Sequence, residues 1–340
     1  MNKNLFRSPL SVSKMAPAAD IVNEAGGKAY SLSDKAALAQ LVCTGVYNSA
    51  FYSSAEEQLK LTLELAQKVS PKFLAQLAVY ARQNALTKDS PALLAAILSS
   101  KDVGLLSKVF ARVINNPKMF RNFIKVVRSG VTGRKNFGSR PKKLLQNFLA
   151  SLTDEQLFAA DVGNDPSLQD CIKMIRPKAE TKERAAMLSY LLDRDFSRKD
   201  LCAKALAYEE FKSSLDEDMP NVPFLKLTSL PLTDGHWKTI ARNATWDQTR
   251  QNLNSFAKHG VFSDTSLTNL ICQKLSDERL VKSSKTFPYQ LFAAYHHLDA
   301  SVPNKVKLAL QEAFEYSLDN IPEFNDDGVY LMVDTSGSMS

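Results

Sequence analysis

The sequence of 340 residues has few cysteines and no long apolar run, and both shortages narrow the class of protein. Its four cysteines, Cys43, Cys171, Cys202 and Cys272, are too far apart for a CxxC metal site or a dense disulfide framework. No segment approaches the roughly 20 consecutive apolar residues of a membrane span. Residues 1–19 also lack the continuous apolar core of a signal peptide. We therefore expect buried, unreactive thiols, no membrane partner and a cytoplasmic location.

Signatures of the common catalytic sites are also missing. The sequence contains no P-loop, nucleophile elbow, dinucleotide fingerprint or HExxH motif. The four histidines have no metal-ligand spacing, and the adjacent His296 and His297 would point apart on a helix. Trp237 and Trp246 are expected in a helical core, with base stacking as the alternative. These absences favour a protein that is not an enzyme.

Acidic residues are absent from one long stretch. Between Val103 and Thr153 there is no Asp or Glu, whereas eleven Lys and Arg residues lie there; the net charge of the whole chain is +7. Without this segment the chain would be acidic. Such an asymmetry indicates an acidic macromolecule as partner, with nucleic acid favoured over a membrane surface.

Helix-start signals recur through the first two thirds of the chain. A capping residue precedes proline at Ser70–Pro71, Ser90–Pro91, Asn116–Pro117 and Asp165–Pro166, and residues 54–57 read as a capping box. The spacing predicts short helices in antiparallel pairs of roughly 40 residues, the period of HEAT-like solenoids. An irregular helical bundle is the competing architecture. The sequence therefore predicts an all-α body.

The helix predicted after Pro117 combines an apolar face with a row of cations. Phe120, Phe123, Ile124 and Val127 share the apolar face by their spacing. A basic stripe follows the same spacing on a neighbouring face: Lys118, Arg121, Lys125 and Arg128. An ordinary solvated face would interleave acidic partners, and none is present, so the stripe is predicted to bind an anionic ligand.

A glycine-containing segment with further cations follows this helix. Arg134 and Lys135 lie in a loop predicted to be flexible, and Arg140, Lys142 and Lys143 surround Pro141, where the next helix is expected to begin. Cations in a first turn oppose the helix dipole, but together with free backbone N–H groups they favour a bound anion. Phosphate is the ligand predicted here, and a solubilising turn is the alternative.

A third basic cluster occurs at Lys173, Arg176 and Lys178. These residues are at the end of a predicted helix, where cations complement the dipole. Structural capping and phosphate binding explain this cluster equally well.

The last residues of the sequence change from a helical to a strand-like pattern. Residues 328–333 read as a fully buried strand, and the loop after it carries Asp334, Ser336 and Ser338 in the sequence DTSGSMS. One carboxylate and two hydroxyls suit a hard divalent cation such as Mg²⁺, if other loops complete the ligand set. A strand after an all-helical body indicates the start of an α/β domain. A Ser/Gly-rich turn without metal is the alternative.

Two resemblances follow from these residues. The terminal loop resembles the DxSxS motif of von Willebrand factor A domains, and the body resembles the Ro autoantigen family, its bacterial-type members in particular. The matching segments in the body are residues 23–30, 137–143, 170–178, 229–233 and 286–295. The family has a ring of HEAT-like helices followed by an A domain. The resemblance therefore implies a helical module over residues 1–320, closed into a monomeric ring, and the linker and first strand of an A domain over residues 321–340.

The same resemblance implies a function and site residues. It implies binding of small noncoding Y-like RNAs and of misfolded structured RNAs, whose single-stranded ends enter the ring. An exoribonuclease is a further candidate partner. Arg140, Lys142 and Lys143 match the basic helix start of the family, and Arg176 stands where relatives have a histidine important for RNA binding. Because an A domain takes a Thr and an Asp from later loops, we expect a truncated chain with an incomplete metal site.

Two other functions compete with RNA binding. In the first, the protein is an interaction scaffold that recruits a ribonuclease, and the basic segment binds an acidic protein surface. In the second, the protein is a metal-dependent hydrolase built around Asp334.

Overall fold

The structure is a computed structural model of the chain, and it describes residues 20–22, 26–45, 54–85, 87–163, 165–216 and 218–321. Within these residues the secondary structure is almost entirely α-helical. The exceptions are three short 3-10 helices and an antiparallel ribbon in which Ile21–Val22 (β1) pairs with Lys28–Ala29 (β2). The all-α prediction is confirmed for this part of the chain.

Nineteen α-helices occur among the described residues. In chain order they are α1 (Asp34–Thr44), α2 (Ala55–Lys68), α3 (Pro71–Gln83), α4 (Asp89–Lys101), α5 (Val103–Val113), α6 (Pro117–Ser129), α7 (Ser139–Ser151), α8 (Asp154–Ala160), α9 (Leu168–Ile175), α10 (Lys182–Leu191), α11 (Ala203–Ser214), α12 (Phe224–Leu227), α13 (Asp234–Asn243), α14 (Trp246–Gln251), α15 (Leu253–Lys258), α16 (Thr265–Leu275), α17 (Glu278–Ser284), α18 (Pro288–His296) and α19 (Asn304–Ser317).

The chain divides into two compact units, each with its own set of helices. Unit 1 runs to Ser151 and also includes residues 164–178, so it holds α1 to α7 and α9. Unit 2 consists of residues 152–163 and the chain from Ala179 onward, so it holds α8 and α10 to α19. In unit 1 the helices pack mainly on neighbours one or two places away in the chain: α3 on α4 and α5, and α4 on α5 and α6. This local packing is what the predicted succession of short helices requires.

Polar side chains begin several helices as the sequence predicts. Ser70 and Asn116 cap α3 and α6 through their side-chain oxygens, and each helix has proline at its first position. Ser54 and Glu57 form the predicted capping box at the start of α2. Each of these contacts satisfies backbone N–H groups that have no partner inside the helix.

Two other predicted helix starts are wrong. Helix α4 begins one residue before Ser90, and this serine is 2% exposed within the first turn. Helix α9 begins after Ser167 rather than at Asp165–Pro166, because Ser167 and Asp170 form a capping box there. A serine with an acid three residues later is therefore the stronger start signal at this point of the chain.

Aromatic residues occupy the cores of both units. In unit 1 the predicted apolar face of α6 is confirmed, since Phe120, Phe123, Ile124 and Val127 are all 0% exposed. In unit 2 the tryptophans lie in a helical core, as predicted: Trp237 and Trp246 are 9% and 5% exposed. The indole of Trp246 also donates a hydrogen bond to the carbonyl oxygen of Leu275 at 3.0 Å.

Two further predictions concern the divalent-cation site and the lack of a membrane span. The predicted strand and the metal ligands Asp334, Ser336 and Ser338 lie outside the described residues, so the divalent-cation site stays a prediction. Across the described part of the chain, no group of three His, Cys, Asp or Glu side chains is arranged to hold a metal ion. No helix there is both long and apolar enough to cross a bilayer.

Candidate nucleic-acid interface

Helix α6 presents three of its four predicted stripe residues to solvent. Lys118, Lys125 and Arg128 are exposed. The structure corrects the position of Arg121, which is 7% exposed and whose charge acts on the thiol of Cys171 in α9. Because α9 packs against α6, it covers the middle of the stripe, a long-range contact that the periodicity of α6 does not reveal. Arg121 is therefore part of the interior of unit 1.

The loop from residue 130 to residue 138 is held by hydrogen bonds within the loop and to helices α4 and α6, whereas the sequence predicted a flexible loop. Arg134 donates hydrogen bonds to the carbonyl oxygens of Ser99 and Phe137, and Phe137 is only 8% exposed. Arg128 donates to the carbonyl oxygen of Lys135 at 3.3 Å. The guanidinium of Arg134 thus organises the loop and is not placed to hold phosphate, contrary to the prediction.

Gly130 allows α6 to end and the chain to turn into this loop. Its φ of 84° lies in the left-handed region, which glycine adopts without steric cost. A side chain at this position would also meet Lys135, because a Cβ would lie 2.9 Å from the Lys135 Cε atom. The glycine therefore sets the path by which the chain returns from α6 towards α7.

Helix α7 begins earlier than predicted, at Ser139, so Pro141 lies within its first turn. Proline is tolerated there because the first N–H groups of a helix have no partner inside the helix. Arg140 and Lys143 are exposed and Lys142 is half-buried. The predicted concentration of cations in the first turn of α7 is therefore present.

The C-terminus of α9 is fixed by a contact from α7. Arg176 ends α9 in a left-handed conformation, with φ 53° and ψ 63°, and its N–H donates to the carbonyl oxygen of Ile172. For a residue other than glycine this conformation costs roughly 1 kcal/mol. Gln146 offsets part of that cost by donating to the carbonyl oxygens of Ile175 and Arg176 at 3.1 and 3.2 Å. With its backbone held in this way, Arg176 has an exposed side chain.

These three segments form one concave surface in unit 1, which we call the basic groove. It has a volume of about 620 Å³, and its four cations come from α6, α7 and the end of α9: Arg128, Lys142, Lys173 and Arg176. Asn136, Phe137, Gly138, Ser139 and Met174 complete the lining, which contains no carboxylate. None of the four cations forms an ion pair within the described residues. The groove can therefore offer four cations to one anionic ligand, although Asp170 partly offsets the charge of Lys173.

A second depression of about 550 Å³ adjoins the basic groove and shares Arg128, Lys173 and Met174 with it. Its lining differs in charge because it includes Asp165 and Asp170. Asp165 pairs with Lys125 at 3.2 Å. Hydrogen bonds from Ser167 lower the pKa of Asp170, and the charge of Lys173 lowers it further. Because two carboxylates line this depression, a polyanion is favoured in the basic groove instead.

The structure brings together only part of the predicted site. Six further predicted cations are exposed on unit 1 but lie outside the groove lining: Lys118, Lys125, Lys135, Arg140, Lys143 and Lys178. Sequence reasoning missed Gln146 and Asn136. For Gln146 a signal exists, since it lies four residues after Lys142 and therefore on the same side of α7.

No protein-family model and no curated protein matches the sequence. Among solved structures, the chain is similar to the crystal structure of the Ro (RSR) protein of Deinococcus radiodurans, with a TM-score of 0.65 over 85% of this chain. The chain has a Ro-like fold. Sequence identity to that protein is 18%, so the likeness concerns the fold alone. The chain also spans 65% of the length of the Ro protein it matches.

The Ro-like fold agrees with the resemblance seen in the sequence. The sequence resemblance involves short segments such as residues 137–143, whereas the structural likeness covers 85% of the chain. The lining of the basic groove includes four residues of segment 137–143: Phe137, Gly138, Ser139 and Lys142. Closure of the helices into a ring stays a prediction.

Proposed function

We propose that the protein binds RNA, and that the basic groove of unit 1 holds the phosphate backbone. The observation that carries the proposal is the convergence of Arg128, Lys142, Lys173 and Arg176 in a groove whose lining has no acid. Phosphate contacts supply most of the affinity of proteins for nucleic acid, and they require cations without partners. Arginine can also grip a phosphate through two parallel hydrogen bonds.

The Ro-like fold supports RNA as the polyanion. We propose that the ligands are small noncoding Y-like RNAs and misfolded structured RNAs with a single-stranded end, as the family resemblance implies. Binding requires no chemical step, so we propose that the RNA leaves the complex unchanged and that the protein is not an enzyme. Recruitment of an exoribonuclease would be a further property of the assembled complex.

Binding of a fluorescent RNA hairpin with a 3′ single-stranded end tests the proposal. The groove variant is Lys142→Gln/Lys173→Gln/Arg176→Gln, which removes three charges that line the basic groove. Its matched control is Lys72→Gln/Lys88→Gln/Lys108→Gln, which removes three exposed lysines of unit 1 that do not line it. Glutamine keeps a long polar side chain in all six positions, so both variants are expected to fold.

The groove variant is expected to bind the hairpin roughly tenfold more weakly or worse, as the loss of several charge-assisted hydrogen bonds requires. The control is expected to bind as the unchanged protein does. Absence of any hairpin binding at low salt would contradict RNA binding and favour the interaction scaffold. Equal affinities of the two variants would remove the basic groove from the site. The RNA should stay intact after incubation with the protein and Mg²⁺. Cleavage of the RNA would instead indicate a hydrolase.

A further inference from the structure

Helix α18 of unit 2 exposes nearly all of its aromatic residues. Tyr289 and Phe292 are 68% and 64% exposed, Phe287 at the N-cap is 38% exposed, and Tyr295 is 39% exposed. Leu291 is the only residue of α18 that is buried. We call the exposed rings of these four residues and His296 the aromatic surface. So much exposed aromatic area on one short helix is unusual for a face that meets only water.

The rings of the aromatic surface lie nearly parallel in two pairs. The centroids of Phe287 and Tyr289 are 6.4 Å apart with an angle of 14° between the planes. The centroids of Phe292 and His296 are 6.3 Å apart with an angle of 10°. The helix therefore presents two successive sets of flat rings rather than an irregular apolar patch. Flat rings at successive positions suit the stacking of flat ligands.

The chain around the aromatic surface carries no acid. Residues 279–298 include no Asp or Glu, while Lys285, two residues before Phe287, is exposed. Arg279, whose side chain is 93% exposed, lies 3.9 Å from the carboxylate of Asp277. Further acidic side chains come from the adjoining helix α19, which carries Glu312 and Glu315 and contacts α18 through a hydrogen bond from Gln311 to Tyr295 Oη at 3.4 Å. The surface is thus mainly aromatic and carries little net charge.

We infer that the aromatic surface binds unpaired bases of single-stranded RNA by stacking. The inference rests on the proposed function in that the RNA bound by the protein would supply the bases. Every base has a flat π-face, so stacking on Tyr and Phe rings is tolerant of sequence. Tyrosine and histidine add polar atoms at the ring edges, which suit the polar edges of bases. Because few cations are present, this binding should depend much less on salt than binding in the basic groove.

Two unstructured oligonucleotides of twelve nucleotides test the inference. One is oligo(U), and the other is an abasic chain with the same number of phosphates. Stacking requires bases, so the full chain should bind oligo(U) more tightly than the abasic chain. Binding by phosphates alone gives equal affinities for the two. Fluorescence anisotropy measures both affinities at the same salt concentration.

The aromatic variant is Tyr289→Leu/Phe292→Leu, which keeps apolar area but removes two rings. It is expected to bind oligo(U) roughly tenfold more weakly, within the range measured for loss of stacking partners, and to bind the abasic chain unchanged. Tyr289→Phe/Phe292→Tyr retains both rings and should bind as the unchanged protein does. Tyr80→Leu is the matched control, since Tyr80 of unit 1 is 56% exposed.

Three results would overturn the inference. The first is equal affinity of the unchanged protein for oligo(U) and the abasic chain. The second is undiminished oligo(U) binding by the aromatic variant. The third is a dimer in sedimentation experiments that Tyr289→Ala/Phe292→Ala abolishes, because a second copy of the chain would then cover the surface. These results differ from failure of the proposed function. That failure would appear as unchanged hairpin binding by the groove variant, whereas the results above concern oligo(U) and the aromatic variant.

Discussion

The side-chain amide of Gln146 donates a hydrogen bond to the carbonyl oxygen of Arg176 at 3.2 Å. It joins α7 to the end of α9 and holds the left-handed backbone from which the Arg176 side chain projects. Gln146 is thus a positioning residue for the basic groove: it carries no charge, yet it helps to fix where one cation of the groove lies.

Replacement of Gln146 by Ala should weaken hairpin binding about fivefold, the effect expected from about 1 kcal/mol of lost hydrogen bonding. The dependence of affinity on salt should stay the same, because no phosphate-binding cation is removed. Fluorescence anisotropy at several salt concentrations separates the two quantities. Asn147→Ala, an exposed neighbour on the same helix, is the control. A changed salt dependence would show that Gln146 does more than position Arg176.

Asp165 limits binding next to the basic groove. Its carboxylate pairs with Lys125 at 3.2 Å, so it competes with phosphate for that cation. Asp165→Asn should therefore tighten hairpin binding roughly twofold to threefold, as expected for an exposed ion pair. Asp195→Asn, at an exposed acid of unit 2, should leave the affinity unchanged. Weaker binding by Asp165→Asn would mean that the carboxylate supports the site.

Arg134 and Arg140 lie six residues apart in the acid-free segment, but they have different roles. Arg134 donates to the carbonyl oxygens of Ser99 and Phe137, whereas Arg140 is exposed. Arg134→Ala should lower the free energy of unfolding by about 2 kcal/mol, because it leaves buried carbonyl groups without donors. Arg140→Ala should change it by less than about 0.5 kcal/mol. Urea denaturation measures both, and equal losses would contradict this division of roles.

The thiol of Cys171 should be unreactive in the folded protein. Burial raises the pKa of Cys171 to about 12, against the opposing effect of the Arg121 charge. At pH 8 the thiol is therefore almost entirely protonated, and the reactive thiolate becomes frequent only as the pH approaches 12. A thiol reagent at pH 8 should modify Cys171 slowly before unfolding and rapidly in urea. The variant Cys171→Ala identifies which kinetic phase of the modification belongs to Cys171. Rapid modification of this thiol in the folded protein would contradict its burial.

Local patterns allowed the helices and their cores to be predicted from the sequence. Phe120, Phe123 and Val127 follow the helical period closely, and Asn116–Pro117 is an unambiguous start. The prediction failed where distant segments decide the outcome. Arg121 has the spacing of a solvent-facing residue, but α9, some 50 residues later, covers it.

The candidate site was predicted only as separate basic segments. The cations of α6 and α7 were found because acids are absent around them, and Lys173 and Arg176 remained ambiguous because helix capping explained them equally well. The structure places Lys173 and Arg176 beside Arg128 and Lys142 in the basic groove, a proximity that the separate segments do not reveal. Arg134 was assigned to the ligand because a sequence shows charge but not the backbone carbonyl groups that a side chain will meet.

The salt dependence of hairpin affinity tests the central claim most directly. In a plot of log affinity against log salt, the slope reports the number of phosphates neutralised, at about 0.7 per contact for single strands. Removal of the three charges in the groove variant should reduce the slope by roughly 2, whereas the control variant should keep the slope of the unchanged protein. Equal slopes for all three proteins would contradict phosphate binding in the basic groove.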